Sequence, residues 1–413
     1  MLLIQKYGGT SVGTIERIHA VAAHVAATRA AGHRVVVVVS AMSGETNRLL
    51  DLVAQVSATP GERESDLVVA TGEMVSTGLV ALALQQLHVS AVPLLAHQIP
   101  IVTDGIFARA RIESINAAAL HEHLEKNYVV VMPGFQGVDA HGNLTTLGRG
   151  GSDTSAVAIA AALSADACEI YTDVDGVYST DPRVCPQARR IEAMEYEELL
   201  EMAGAGAKIM HLRSVQLAAK YAVPLAIRSS LATHIPGTRV VAADPELEAT
   251  LVSGITATKN EAKLVVRKVP FRTGVMSEIF APLARANINV DMIVQTTNQS
   301  GEAEIGFTVS KDDLKKTMQL TERAARAMNA GTVEMAGDVS KLSIIGLGMR
   351  SHAGVAAKMF EVLAQENIPV QLISTSEIKV SVVINMDESE RAVRALHVAF
   401  GLGGAEGRGT TAP

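Results

Sequence analysis

The chain opens with a short apolar run, LLIQKY (2–7), that stops at Gly8-Gly9. A helical stretch follows at about 14–31, and then five consecutive valines, Val35–Val39, run into Ser40-Ala41. A run that is apolar at every position has no solvent face. It reads as a strand buried on both sides of a mainly parallel sheet. Further strands are expected at 92–95, 128–132, 168–173 and 223–228, with Ala-rich helices at 66–87, 113–125, 153–165 and 195–221. This alternation argues an open α/β/α sandwich, in which ligands bind outside the carboxyl ends of the strands. The glycines, serines and threonines gather at those strand ends.

Near residue 230 the pattern changes. SSLATHIPGTRVVAADPELEAT carries Pro236-Gly237 and Asp244-Pro245 with little periodicity, so 236–249 reads as a linker after a first domain of 1–235. Beyond it lies an internal repeat. A shift of 80 residues places Gly274, Val275, Phe280, Leu283, Ala284, Asn287, Ile288, Val290 and Ile293 on identical residues, from Gly354 to Ile373, without a gap. That is a structural duplication. Each copy reads strand, Gly turn, helix, Asn-Ile, strand, then a further strand at 303–309 or 378–384. Phe280/Leu283 and Phe360/Leu363 mark one buried helix face in each copy.

Composition narrows the function classes. The 413 residues include 48% hydrophobic and 19% charged positions, ample for two or three domains. The net charge of -7 gives no basic excess for nucleic acid or anionic lipid, and 3% aromatics without Trp offers no base-stacking platform. Two cysteines, Cys168 and Cys185, make a disulfide framework unexpected. Lys6 and a glycine pair interrupt the N-terminus before a signal-length apolar core forms, and no apolar run is expected to reach spanning length. A cytoplasmic protein is the expectation.

The familiar phosphate-binding signatures are missing. The chain has no Gly-Lys dipeptide and hence no Walker motif. GRGGSD and GAGAKI both fail as GxGxxG, and the HRD and DFG signatures of protein kinases are absent. KYGGTSVG (6–13) instead sets a lysine at a strand end, then two glycines, then Thr10 and Ser11 before a helix. Backbone N–H groups at Gly8 and Gly9 can approach phosphate oxygens closely, and Lys6 supplies positive charge. An ordinary strand–turn–helix joint with a surface lysine explains the spacing equally well.

KYGGTS (6–11) resembles the N-terminal signature of the aspartate kinases, members of the amino-acid-kinase superfamily. The likeness continues in order through SAMSGETN (40–47), TGE (71–73), PGFQG (133–137), TLGRGGSDTSA (146–156), YTDVDGVYSTDPR (171–183), GAKIMH (206–211) and STSEIKVSVVI (374–384). It implies an amino-acid-kinase α/β/α sandwich with a mainly parallel sheet, followed by two ferredoxin-like βαββαβ ACT units. It also implies transfer of the ATP γ-phosphoryl group to the β-carboxylate of L-aspartate, giving 4-phospho-L-aspartate, the first step toward lysine, threonine and methionine.

The same resemblance supplies the site residues. Aspartate binding falls on Ser40, Thr46, Glu73, Arg149, Gly150, Gly151, Ser152 and Asp153. Arg149 suits bidentate capture of the α-carboxylate, and Glu73 and Asp153 suit the ammonium. The competing reading of Arg149 and Asp153 is a surface salt bridge. ATP binding falls on Lys6, Tyr7, Gly8, Gly9, Ser11, Thr172, Asp173, Tyr178, Asp181, Arg183, Lys208 and Ile209, with Lys6, Lys208 and Asp153 as the catalytic set. Asp175-Gly176 is also a good hairpin turn. The cofactor expected is ATP with Mg²⁺. Magnesium keeps waters and takes few protein ligands, so no protein ligand is assigned to the metal.

The duplicated unit resembles ACT domains, which pair and bind amino acids at the seam. The family implies feedback by lysine and/or threonine, contacts from Arg272, Thr273, Gly274, Asn289, Asp291, Met292, Ile293 and Gln295, and a homo-oligomer assembled through these domains. A first ACT unit at 264–336 is then inserted in a second made of 250–263 and 337–404, with a tail at 405–413. Many members carry Asp-x-Pro-Gly where this chain has Phe271-Arg272-Thr273-Gly274, so that carboxylate is missing here. A dimerisation module without effector is the competing reading of this half. For the whole chain the alternatives are an acetylglutamate, glutamate-5 or carbamate kinase, against which the tandem ACT units count, and a catalytically dead amino-acid sensor, against which intact Lys6, Glu73, Arg149, Asp153 and Lys208 count.

Overall fold

Strand Leu2–Tyr7 is buried at all six positions and pairs in parallel with Arg34–Val39 on one side and Ala167–Thr172 on the other. That central place follows from its sequence, since only a strand without a solvent face tolerates neighbours on both edges and helices on both faces. A computed structural model describes residues 1–207, 209–242, 251–298, 301–350, 352 and 354–403. They divide into two units. The first comprises Met1–Val177, Arg190–Ala203 and Lys208–Leu247, and the second Tyr178–Arg189, Gly204–Ala207 and Glu248–Pro413.

The first unit is built on an eight-stranded sheet in the order Ala193–Glu195, Thr238–Val241, Leu225–Ser229, Ala167–Thr172, Leu2–Tyr7, Arg34–Val39, Val129–Pro133 and Ala91–Pro93. All neighbours run parallel except Leu225–Ser229 with Thr238–Val241. A separate four-stranded sheet joins Ile112–Ile115, Ile101–Thr103, Gln136–Val138 and Leu144–Thr146. Helix Ile15–Ala30 buries Ile18, Val21, Ala22 and Val25 against the valines of the central strands, and Val80, Ala81 and Leu84 of helix Thr71–Gln86 join the same core.

Several expected elements differ. The helix at 66–87 is two consecutive helices, Glu62–Val69 and Thr71–Gln86, meeting at Ala70. The stretch Glu62–Gln86 is long and apolar enough to cross a membrane by length and composition, contrary to the sequence expectation. Here it carries buried Asp66 and Glu73 and packs its small residues into the core. The helix at 113–125 begins only at Ala117, because Ile112–Ile115 extends to pair with Ile101–Thr103. The helix at 195–221 is interrupted between Tyr196–Gly204 and Leu212–Tyr221, where Gly206 takes a left-handed φ of 103° that no helix continues through. Within the supposed linker, Thr238–Val241 is a strand of the main sheet, pinned by Thr238, whose Oγ1 accepts from Val177 N–H at 2.8 Å and donates to Ile191 O at 2.5 Å. Residues 243–249 of that linker and the tail 405–413 lie outside the described residues. Segments 178–189 and 204–207, expected in the first domain, belong to the second unit.

The second unit is one six-stranded antiparallel sheet in the order Val290–Thr297, Glu302–Ser310, Gly254–Pro270, Val333–Ile345, Lys379–Asn385 and Leu372–Thr375. Its two central strands are long and serve both halves of the repeat. Residues 254–258 pair with 341–345 beside Lys379–Asn385, while 261–266 pair with 333–339 beside Glu302–Ser310. The repeated residues fill equivalent places. Val275, Ile279, Leu283 and Ile288 form one core, and Val355, Met359, Leu363 and Ile368 form the other. Gly274 and Gly354 precede their helices at φ 91° and 105°, and Asn287 and Asn367 follow them at φ 56° and 54°. Those left-handed positions explain why Gly and Asn, which tolerate positive φ, recur in both copies.

Candidate active site at the strand ends

Side chains alternate along Leu2–Tyr7, so Lys6 projects to the face opposite Gln5 and Tyr7. Its Nζ lies 2.5 Å from Asp153 Oδ1, in an ion pair whose side chains keep only 10% and 12% of their surface exposed. Asp153 sits in the first turn of helix Gly151–Ala162, where the helix dipole favours a carboxylate. Gly150 sets that helix start at φ 70°, and Thr154 Oγ1 donates to Gly150 O. Of the two readings of Asp153, the salt bridge is real, but its partner is Lys6 and it is buried. Arg149 is exposed and, among the described residues, its side chain has no ion-pair or hydrogen-bond partner.

The strand ends are zipped just where the site begins. Gly8 N–H donates to Tyr171 O, Ser40 N–H to Tyr7 O, Gly134 N–H to Val39 O, and Ser230 N–H to Thr172 O. This keeps Gly8, Ser40, Gly134 and Thr172 at one edge of the sheet. A Cβ on Gly8 would sit 3.6 Å from Lys6 Nζ, and one on Gly9 would sit 2.9 Å from Ala41 O. Gly8 therefore leaves the side of the lysine uncovered, and Gly9 lets the turn pack against Ala41. A Cβ on Gly134 would stand 2.6 Å from Ser152 Cβ, so that glycine lets Ser152 and Asp153 approach the strand ends.

Glu73 lies in the first turn of Thr71–Gln86 and is buried. Ala41 N–H donates to its Oε1 at 3.0 Å, while Oε2 is buried without a hydrogen-bond partner among the described residues. Burial outweighs that one donor and pushes the carboxyl up to about 7. A half-satisfied buried carboxylate beside the Ser40-Ala41 turn is a seat for a donor that the described residues do not supply. Ser40 and Thr46 are half-buried close by in sequence, Thr46 in the first turn of Glu45–Val56.

Other residues take different places from those expected. Tyr7 is fully buried, stacked on Tyr171 with centroids 4.9 Å apart, and its hydroxyl donates to Gln5 Oε1. It cannot face a nucleotide with its ring, because position 7 points into the opposite layer. Ser11 is buried and donates to Ser230 Oγ at 2.7 Å, which ties the glycine turn to the end of Leu225–Ser229. Thr172 donates to Asp173 Oδ1, and Asp173 is exposed. Tyr178, Asp181 and Arg183 fall in the second unit, where Arg183 pairs with Asp181 at 2.7 Å; Asp175-Gly176 forms no strand hairpin. Ile209 is half-buried, and Lys208 lies outside the described residues.

Sequence reasoning missed the residues that hold the glycine-rich segment before Gly151. Buried Asp66 accepts from Ala108 N–H, Thr146 N–H and Thr146 Oγ1, with burial raising its carboxyl. Arg213 donates to Leu147 O and Ala110 O, both at 2.8 Å. Asp66 left one signal, a carboxylate three residues from Val69 on the inward face of its helix. Behind the site, Glu169 accepts from Gln5, Tyr171 and Arg228, a charged pair that packing alone would not reveal.

In the second unit, Arg272 is paired with Glu278 at 2.7 Å. Asp291 pairs with buried Lys341, which also lies 3.5 Å from Glu261. Met292 is buried, with its N–H donating to Thr308 Oγ1, whereas Ile293 is exposed. Thr273 and Gly274 form the turn into Val275–Arg285, while Asn289 and Gln295 bracket these strand positions, Gln295 paired with Ile305.

A parallel sheet with a lysine-and-glycine turn at its centre and an appended double βαββαβ sheet defines an amino acid kinase with a regulatory half. Residues 1–229 match the amino acid kinase family, and residues 264–324 and 342–400 match the ACT domain. An aspartate kinase of Pseudomonas putida is 51% identical over 404 residues, 97% of this chain and 98% of that protein. E. coli aspartokinase III in complex with aspartate and ADP, in its R-state, aligns with a TM-score of 0.82 at 27% identity, covering 97% of this chain and 99% of that one. The T-state of that enzyme, with lysine and aspartate, aligns over the same shares with a TM-score of 0.76 at 27% identity. The chain belongs to the aspartate kinases of the amino acid kinase family.

Proposed function

We propose that the ends of the central strands hold aspartate with its ammonium on Glu73 and its α-carboxylate on Arg149, and turn its β-carboxylate toward Lys6. The observation that carries this reading is Glu73 Oε2, buried beside the Ser40-Ala41 turn and without a hydrogen-bond partner among the described residues. Arg149, exposed and unpaired among the described residues, supplies the opposite charge. Ser40, Thr46, Gly150, Gly151 and Ser152 complete the aspartate site. The ammonium completes the hydrogen bonding of Glu73, and its charge draws the carboxyl into its ionised form.

The nucleotide reading rests on Lys6 Nζ standing beside Gly8, whose missing side chain keeps the approach to that cation open, while Gly9 lets the turn close on Ala41 O. Thr172, Asp173, Tyr178, Asp181, Arg183, Lys208 and Ile209 are the further nucleotide contacts in this proposal. Tyr7 contributes only backbone. Among the described residues no group of three or more His, Cys, Asp or Glu side chains could hold a metal ion. A magnesium ion would be carried mainly by the ATP phosphates and water, where it would neutralise phosphate charge.

The nucleophile is already ionised at neutral pH, so no general base is required. A β-carboxylate oxygen bonds to the γ-phosphorus as the bond to the β,γ-bridging oxygen breaks and ADP leaves. The product is the mixed anhydride 4-phospho-L-aspartate. The obstacle is bringing an anion onto a polyanion, and Lys6, held at the turn by Asp153, lowers it by charge and by position. Lysine and/or threonine acting through the ACT half, and assembly of copies through it, belong to the same proposal; E. coli aspartokinase III has been crystallised with lysine.

Steady-state kinetics of Glu73→Gln and Arg149→Ala test the assignment. Each is expected to raise the aspartate KM by roughly tenfold or more while leaving the ATP KM within about twofold, the loss of a charge-assisted contact being worth ~1.5–3 kcal/mol. Equal effects on both substrates contradict it.

A further inference from the structure

We propose that Ser179 and His397 are positioning residues for the nucleotide: the regulatory half holds the loop that carries Tyr178, Asp181 and Arg183. The proposal rests on the reading above in which those three residues contact ATP.

The loop lies within 1–229, the span that matches the kinase family, yet residues 178–189 pack with the second unit. Five bonds converge on Ser179. Its N–H donates to Arg189 O at 2.9 Å, and its carbonyl accepts from Ile255 N–H at 2.7 Å. Its Oγ lies 3.0 Å from His397 Nε2 and accepts from Arg189 N–H at 3.1 Å. The hydroxyl is also 3.4 Å from Leu402 O. Ser179 and His397 are both buried, so their pairing is dry. Three residues before His397 on helix Ser389–Ala399, Arg394 donates to Val184 O at 3.3 Å.

Ile255 opens the long central strand of the regulatory sheet, and His397 lies on a helix covering that sheet. The loop is thus fixed at Ser179 between a strand and a helix of the regulatory half, one residue from Tyr178 and two from Asp181. At its other end it continues through Val177 to strand Ala167–Thr172. A loop that served only as a connection would be satisfied by water, and burying a hydroxyl and an imidazole together fixes one geometry at a desolvation cost. Any shift of Ser389–Ala399 against Gly254–Pro270 must then move Tyr178 and Asp181.

The test compares Ser179→Ala, His397→Ala and His397→Gln in the full-length enzyme, with Arg183→Ala as the control on the nucleotide reading. Expected are an ATP KM raised roughly five- to tenfold in Ser179→Ala and His397→Ala, the size of one lost hydrogen bond. The aspartate KM should stay within about twofold, and His397→Gln, which keeps a polar partner, should recover most of the loss. Should His397→Ala fail to fold, Ser179→Ala, a loss of one oxygen, decides alone. An unchanged ATP KM in Ser179→Ala, or ATP and aspartate KM rising together with a lowered Tm, overturns the proposal. A silent Arg183→Ala overturns the nucleotide reading and this proposal with it. A raised ATP KM in Arg183→Ala with a silent Ser179→Ala overturns this proposal alone.

Discussion

In the proposed site Lys6 and Asp153 form a buried ion pair, and their pairing alters what a substitution should do. Both are buried, so removing the lysine leaves a carboxylate without compensation. Lys6→Ala is expected to cost ~3–5 kcal/mol of stability as well as activity. Lys6→Ala/Asp153→Ala should recover part of that loss in urea melts while remaining inactive, a coupling that a double-mutant cycle isolates. In kcat, the loss of a preorganised cation should be on the order of 10²–10³-fold. Glu73 makes a second prediction. It ionises near 4.5 when exposed and near 7 in the fold. Between those values the folded chain keeps a proton that the unfolded chain has lost, so its contribution to stability falls as pH rises across that window and is level above it. Glu73→Gln removes that slope. At pH 8 it should be more stable than the parent by on the order of 3 kcal/mol, with no gain at pH 4. Because the ammonium needs the ionised form, the parent's aspartate KM should fall as pH rises through about 7.

At the scale of elements, the glycines set the distances. Gly134 ends the strand Val129–Pro133, and the helix Gly151–Ala162 begins against it because no side chain intervenes. Gly134→Ala should push Ser152 and Asp153 outward, cutting kcat by about 10²-fold through misplacement of roughly 1 Å, with only ~1–3 kcal/mol lost from stability. A circular dichroism melt beside the kinetics separates the two effects. The strands that read clearly in the sequence were the uninterrupted apolar ones. Val35–Val39 read as a buried strand, and the repeat at 274–293 disclosed a Gly turn, a helix and an Asn-Ile step in each copy. Thr238–Val241 did not read as a strand, since its short TRVV follows Pro236-Gly237 and is defined by a bond from Val177 far away in sequence. The break in 195–221 was masked because the alanines favour a helix and the glycines between them do not interrupt its period. In the site, charge and glycine spacing were legible, whereas the direction of Tyr7 and the support from Asp66 and Arg213 depend on strand pleat and long-range contacts.

Across the whole molecule, one chain carries a kinase fold and a duplicated sensor fold, and the sequence divides less cleanly than the structure of each unit. Residues 178–189 and 204–207 belong by family to one unit and by packing to the other. Strands Gly254–Pro270 and Val333–Ile345 run through both copies of the repeat, so neither copy can be removed without exposing the core of its neighbour. The measurement that tests the account most directly is trapping of the product with hydroxylamine, using purified enzyme, ATP, Mg²⁺ and separate candidate acids, with and without lysine and threonine. The account predicts hydroxamate from aspartate and not from glutamate, acetylglutamate or carbamate, reduced by lysine, threonine or both. No hydroxamate from aspartate with folded enzyme, or an equal signal from another acid, would contradict it.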